Sequence, residues 1–290
     1  MAIVDLYLYR MKLVLPSQRS LFHENLGRPE IFRRILEERP SAELRRGTYW
    51  HIGNLAFVDD YGGYFAAGRT TQSILEKYDA STGNFLEETL ETSPYTHVLF
   101  DSQIGYLAIA KKTRLSPTVD GIARKLGRVF EGSRVARQNE MEVSLDAISD
   151  PHDFIESVRS AYSVRRFEVT FSRSNPFDAD EFFQKPMEKY LDAANGQKGK
   201  TEISGKDLDP ETLISVTKSV AATGNDAKAV LRSREEMRYS TKKLRGNPAH
   251  FAVAEEEFSP QSGLAESRHL YSTVRGDKDV LDDYRDNEQR

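Results

Sequence analysis

Two runs of strand-forming residues, TYWHIGNLAFVDD and GGYFAAGRT, flank an Asp-Tyr-Gly-Gly turn. A link this short allows the strands to pair only antiparallel, and its glycines supply the backbone freedom a tight turn needs. YTHVLFDSQIGYLAIAKKT reads as a second hairpin, rich in β-branched and aromatic residues. The opening MAIVDLYLYRMKLVL is a further strand, because Tyr7, Tyr9, Met11, Leu13 and Leu15 alternate along it. Helical stretches interleave with these strands. PEIFRRILEERP places Ile31, Ile35 and Leu36 on one side and stops at Pro40, while TTQSILEKYDA and NFLEETLET are also expected to be helical. Residues 1–135 therefore form an α+β unit of antiparallel hairpins with packed helices.

A second α+β unit is expected over residues 136–258. It begins with the strand NEMEVSLDAI, continues into a helix carrying Phe154, Ile155 and Val158 behind Asp150 and Pro151, and returns through the strand VRRFEVTFSRS. Strand, helix and strand in close order predict a ferredoxin-like element. Pro186 should kink or divide the helix ADEFFQKPMEKYLDAAN. GQKGKTEISGKD reads as a turn region or edge hairpin, and Asp209-Pro210 caps the helix ETLISVTKSVAATG. Three strand-like runs follow: DAKAVLRS, MRYSTKKLR and HFAVAEEE. Residues 259–290 read as an acidic, flexible tail; from Glu255 to Arg290 ten acids face five basic residues. Such an arm can cover a basic surface until it is displaced.

The basic surface is legible between Lys111 and Arg137. Lys111, Lys112, Arg114, Arg124, Lys125, Arg128, Arg134 and Arg137 stand against only Asp120 and Glu131, in a chain of formal net charge −4. A helix runs through this stretch, with Ser116 as its expected cap, Pro117 in its first turn and an apolar stripe of Val119, Ile122, Ala123, Leu126, Val129 and Phe130. The stripe must face a core, which leaves Arg124, Lys125 and Arg128 on the wet side. A row of this kind is either a solvated helix face or the footprint of polyanion binding. Arg165, Arg166 and Arg173 extend the track if the second unit packs beside the first. Trp50 and Tyr49 stand in a strand, where a sheet or core role competes with stacking on a base.

Chemistry of other kinds finds little support. There is no cysteine, so disulfides, zinc thiolates and cysteine nucleophiles are excluded, in keeping with a reducing cytoplasm. The six histidines, His23, His51, His97, His152, His250 and His269, lack the spacing of a metal pair. No phosphate-cradling glycine loop or nucleophile elbow is present, so no cofactor and no catalytic residue is assigned. The alternative is a metal-dependent nuclease in which Asp226 and an upstream Asp207 or Asp209 hold the ion beside Lys228. Glu140 and Glu142 share a strand face by period, but a solvated edge explains them equally. The first strand carries charges and no cleavage site, so neither a secretory signal nor a membrane insertion is expected.

Residues 48–175, with TYWHIGNLAFVDDYGGYFAAGRTTQSILEKYD, THVLFDSQIGYLAIAKKTRLSPTVDGIARKL and EVSLDAISDPHDFIESVRSAYSVRRFEVTF in that order, resemble the phage-exclusion protein Rex A of lambdoid prophages and related defence proteins. The resemblance implies a dimeric, cytoplasmic, DNA-binding sensor of phage infection that acts with a separate membrane or effector partner. It carries no functional residue onto this chain. Its expectation meets that of the basic stretch in a non-catalytic DNA-binding protein that holds its ligand mainly through phosphates. A protein–protein adaptor or inhibitor whose basic face docks an acidic partner is the third reading.

Overall fold

A computed structural model describes residues 3–14, 27–172, 180–244 and 246–276, the side chain of Ser73 excepted. The chain is α+β with antiparallel sheets. Its elements are β1 (Ile3–Val14), α1 (Arg28–Glu38), β2 (Ser41–Arg45), β3 (Thr48–Phe57), β4 (Gly62–Asp79), β5 (Asn84–Thr92), β6 (Tyr95–Asp101), β7 (Tyr106–Ala110), α2 (Val119–Glu131), α3 (Arg134–Gln138), β8 (Glu142–Ala147), α4 (His152–Arg159), β9 (Ser163–Ser172), α5 (Gln184–Ala193), β10 (Lys198–Ser204), α6 (Pro210–Ala222), β11 (Ala227–Arg232), β12 (Ser240–Lys243), β13 (His250–Ala254) and α7 (Pro260–Arg275).

The large sheet runs β13-β1-β7-β6-β4-β3-β2, with β8 also paired to β1 and β5 to β4; a second sheet runs β10-β9-β11-β12. β1 lies inside the large sheet, buried on both faces, with Arg10 and Lys12 buried beside its apolar residues. Tyr9, Met11 and Leu13 point to one side, where they pack with Phe32, Trp50, Phe65, Phe100, Leu126 and Phe130 beneath α1 and α2. Leu6 and Leu8 point to the other, into a cluster shared with Tyr106, Tyr271 of α7, Val220 of α6 and the inner residues Phe167, Val169 and Leu231 of the small sheet. Phe32 meets Phe100 and Phe130 edge-on at centroid distances of 5.9 and 5.5 Å. Each such side chain, fully buried, contributes roughly 1.5–3 kcal/mol.

The boundary expected near residue 135 does not separate the sheets. β8 pairs with Tyr9–Val14 and β13 with Ile3–Tyr7, so later strands complete the sheet of the first unit. The strand–helix–strand run is likewise divided, with β8 in the large sheet and β9 in the small one, instead of closing as a ferredoxin-like unit. An apolar alternation marks a strand as half or fully buried, but it does not name the partner strand.

Several local expectations are corrected. TTQSILEKYDA and NFLEETLET are strands: Thr71–Asp79 of β4 pairs in register with Asn84–Thr92 of β5 as a two-stranded ribbon. The deciding chemistry is the turn. Asp79 accepts hydrogen bonds from Ser81 and Thr82, and Gly83 takes φ 69°, which closes a hairpin and overrides the helix preference of Leu, Glu and Lys. The cap of α2 is Thr118, whose side chain accepts from the Gly121 N–H, so Ser116 and Pro117 precede the helix. Pro186 sits in the first turn of α5, where no amide donor is needed, and kinks nothing.

Residues 260–275 are not a flexible tail. They form α7, capped by Ser259, with Leu264, Tyr271 and Val274 buried. Arg268 of α7 bonds Asp59 at 2.6 Å, in the β3–β4 turn, and Asp101 at 2.8 Å, at the end of β6. Burial would raise the Asp59 pKa, but the bonds and charge of Arg268, with the Gly62 and Tyr61 amides, outweigh it and hold the carboxyl below its ordinary value. The last residues of the expected tail, 277–290, lie outside the described residues.

Candidate polyanion-binding cleft

The β2–β3 hairpin turns through Arg46 and Gly47, with Gly47 at φ 70° and its N–H donating to Glu43 at 2.7 Å. This projects Arg45 and Arg46 into solvent. In the next ladder Trp50 lies opposite Arg69 of β4, so both side chains share the sheet face under α2. α2 presents Lys125 over the Trp50 ring, 5.1 Å from its centroid. One helical turn apart on an exposed row, Arg124 and Arg128 flank Lys125.

Together these elements wall a cleft of about 550 Å³ lined by Leu44, Arg45, Arg46, Gly47, Thr48, Trp50, Arg69, Thr71, Gln72, Lys125 and Arg128. Five of the lining residues are cationic and none is acidic. None of the five forms an ion pair with a described residue. The Arg69 guanidinium donates through Nη2 to the Arg114 carbonyl at 3.0 Å, which fixes its direction, while its buried Nε has no partner. Burial first, then the charges of Arg69 and Arg124, push the Lys125 pKa below its ordinary value. Cations crowded in this way repel one another, and an anion between them relieves the repulsion. The lining holds no carboxylate, imidazole or thiol.

The residues expected to bind nucleic acid are only partly brought together. Lys125 and Arg128 line the cleft, Arg124 is beside it with its Nε bonded back to the Asp120 carbonyl, and Arg114 is tied to it through Arg69. Lys111 and Lys112 follow β7 on the surface, and the charge of Lys112 acts on His97, whose ring is on the sheet face away from α2. Arg134 and Arg137 belong to α3, whose first amides donate to Glu38 of α1. Arg165 and Arg166 are on the small sheet and do not extend the track. Arg166 pairs with Glu202, and Arg165 lies 5.8 Å from the Tyr239 ring. Arg173 lies outside the described residues. Trp50 is a core residue, whereas neighbouring Tyr49 is exposed.

Arg45, Arg46 and Arg69 do not stand out in the sequence alone. A signal for the first two exists in the string ELRRGTYW, where two arginines stand at a glycine turn; Arg69 becomes visible only once its register opposite Trp50 is known.

The carboxylates of the nuclease reading have other work. Asp209 caps α6 through Thr212, Asp207 accepts from the Val164 N–H, and Lys228 pairs with Glu168, leaving Asp226 exposed directly before β11. Glu140 has φ 48° in the turn before β8, so it shares no strand face with Glu142. Among the described residues no three His, Cys, Asp or Glu side chains come together as a metal site. No helix of the described residues is long and apolar enough to cross a membrane.

Residues 23–243 match the family described as Domain of unknown function (DUF4747). The chain belongs to this family. The DUF4747 match holds every lining residue of the cleft and the whole small sheet, while β1, β13 and α7 fall outside it. Comparison with curated proteins returns no match.

Proposed function

We propose that this protein is a non-catalytic, DNA-binding sensor of an antiviral phage-exclusion system, and that the cleft beneath α2 holds DNA phosphates. The observation that carries the reading is the set of five cations, Arg45, Arg46, Arg69, Lys125 and Arg128, gathered from two strands, a turn and a helix with no acid among them. On the small sheet, by contrast, Glu168 takes both Lys200 and Lys228. Guanidinium forks match phosphate geometry in pairs, and Thr48, Thr71 and Gln72 add neutral polar groups to the lining. Phosphate contacts position DNA without reading its sequence. A sensor of this design responds to the amount or form of DNA and passes the signal to a separate membrane or effector partner, the cytoplasmic arrangement that the Rex A resemblance implies.

The test is a titration of duplex DNA over a salt series. Five phosphate contacts give a log–log slope of about −4.5. Arg69→Glu combined with Arg128→Glu weakens binding and flattens the slope by about 0.9 for each phosphate no longer held. Unchanged affinity and slope in the folded double variant remove the cleft from the interface. An adaptor for an acidic protein uses the same charge, but it retains no DNA at physiological salt.

A further inference from the structure

The ribbon formed by the end of β4 and β5 projects from the large sheet with both faces in solvent. Directly opposed residues share a face, so Ile74, Glu76 and Tyr78 lie beside Thr89, Glu87 and Phe85. Phe85 is 82% exposed, Ile74 65% and Tyr78 58%, with Tyr78 and Phe85 in ring contact at 5.3 Å. The opposite face exposes Leu75, Leu86 and Leu90. An uncovered two-stranded ribbon is marginally stable at best in water, and apolar side chains gathered at its tip mark a surface that is covered in use.

Its charge says by what. Glu76 sits directly across from Glu87 on the Ile74 face, a like-charged pair that destabilises the ribbon unless a cation meets it. Neither has an ion-pair partner among the described residues; on the other face Lys77 and Glu88 satisfy each other at 2.6 Å. An acidic, aromatic tip repels DNA and calls for a basic surface. The chain carries such a surface at the ribbon's own foot, since Thr71 and Gln72 line the cationic cleft. Foot and tip are separated by nine paired residues, a length of roughly 30 Å.

We propose that the ribbon docks on a second copy of this chain, the two ribbons lying antiparallel so that each acidic tip covers the cleft at the foot of the other. Opposite charges at the two ends of one rod make the antiparallel pair self-complementary about a two-fold axis, and both contacts form at once. The pairing draws on the charge of the cleft and stands whether or not the cleft also takes nucleic acid. Where both hold, DNA and the partner's tip compete for the same cations, and DNA opens the dimer.

Sedimentation equilibrium of the full chain at low salt tests the pairing. The wild type sediments as a dimer that loosens as salt rises. Two charge reversals are then compared, Glu76→Lys with Glu87→Lys at the tip and Arg45→Glu with Arg46→Glu at the cleft. Each variant alone opposes like charges and weakens its dimer by about a hundredfold. Mixed in equal amounts they form a heterodimer, because each tip again meets a cleft of opposite sign. Phe85→Ser, at a position 82% exposed, weakens the dimer without touching the charges and serves where a reversal fails to fold. A monomeric wild type, dimers of undiminished strength in the tip variants, or two folded reversals that fail to pair would overturn the proposal. A monomeric tip variant that also fails to bind DNA leaves the dimer standing and counts against the DNA reading.

Discussion

Lys125 shows how one side chain reports on the whole cleft. It lies over Trp50, partly buried, between Arg69 and Arg124, and its ammonium group is held below the ordinary lysine pKa. A bound phosphate favours the protonated form. DNA affinity is therefore full below the depressed pKa and falls as pH rises through it, before the ordinary value of about 10.4 is reached. Lys125→Arg, whose guanidinium stays charged, removes that alkaline loss; an identical pH profile in the variant places the phosphate elsewhere. Gly63 acts at the same scale on the fold. A Cβ there would lie 2.4 Å from the Ala56 carbonyl oxygen and 2.8 Å from the Phe100 ring, so the glycine answers to a close approach within β4 and not to the backbone freedom of a turn. Gly63→Ala lowers stability by about 1–3 kcal/mol, measured by urea unfolding.

At the scale of elements, α7 is a clasp. It crosses the large sheet on the face opposite α2, and Arg268 joins the β3–β4 turn to the end of β6. Arg268→Ala leaves Asp101, which is fully buried, without that partner and costs roughly 3 kcal/mol in chemical denaturation. The pH dependence has a definite sign. Because the Asp59 pKa is depressed in the folded state, its contribution is in place above the unfolded carboxylate value of about 3.9 and is lost as pH falls through the folded value. Arg268→Ala flattens this acid limb of the stability curve. A chain ending at Phe258 loses α7 altogether, exposing its neighbours in the core, and fails to unfold cooperatively. A cooperative transition of undiminished midpoint in that chain would show the clasp to be dispensable.

Across the whole molecule, positive charge is abundant on both sheets, and at the cleft five cations gather with no acid in the lining. Arg165→Glu with Arg166→Glu leaves DNA affinity within about twofold, since exposed charges outside the interface contribute little. Arg45→Glu with Arg46→Glu lowers affinity by an order of magnitude or more at about 50 mM salt. Equal losses in the two pairs would mean that DNA spans both sheets. The comparison separates local cleft binding from a diffuse basic surface, which net charge cannot do in a chain of formal charge −4.

Much of this protein is legible in the order of its residues. The strand character of β1, the apolar stripe of α2 and the Asp209 cap of α6 are local patterns, each set by residues close in sequence; the glycines of the expected Asp-Tyr-Gly-Gly turn instead begin β4. Lys125 and Arg128 follow from the same stripe by exclusion. Pairing and covering were decided elsewhere. Nothing local tells β8 to join β1 rather than β9, or turns Leu75, Glu76 and Lys77 from helix formers into a ribbon, because those choices are made by strands and turns distant in sequence. The cleft follows the same rule: Arg69 reaches Lys125 only because β4 lies in register with β3 and α2 lies across both. The acidic stretch after Glu255 looks solvated by composition, yet Leu264, Tyr271 and Val274 recur on one side of α7, and the large sheet supplies the apolar face that buries them.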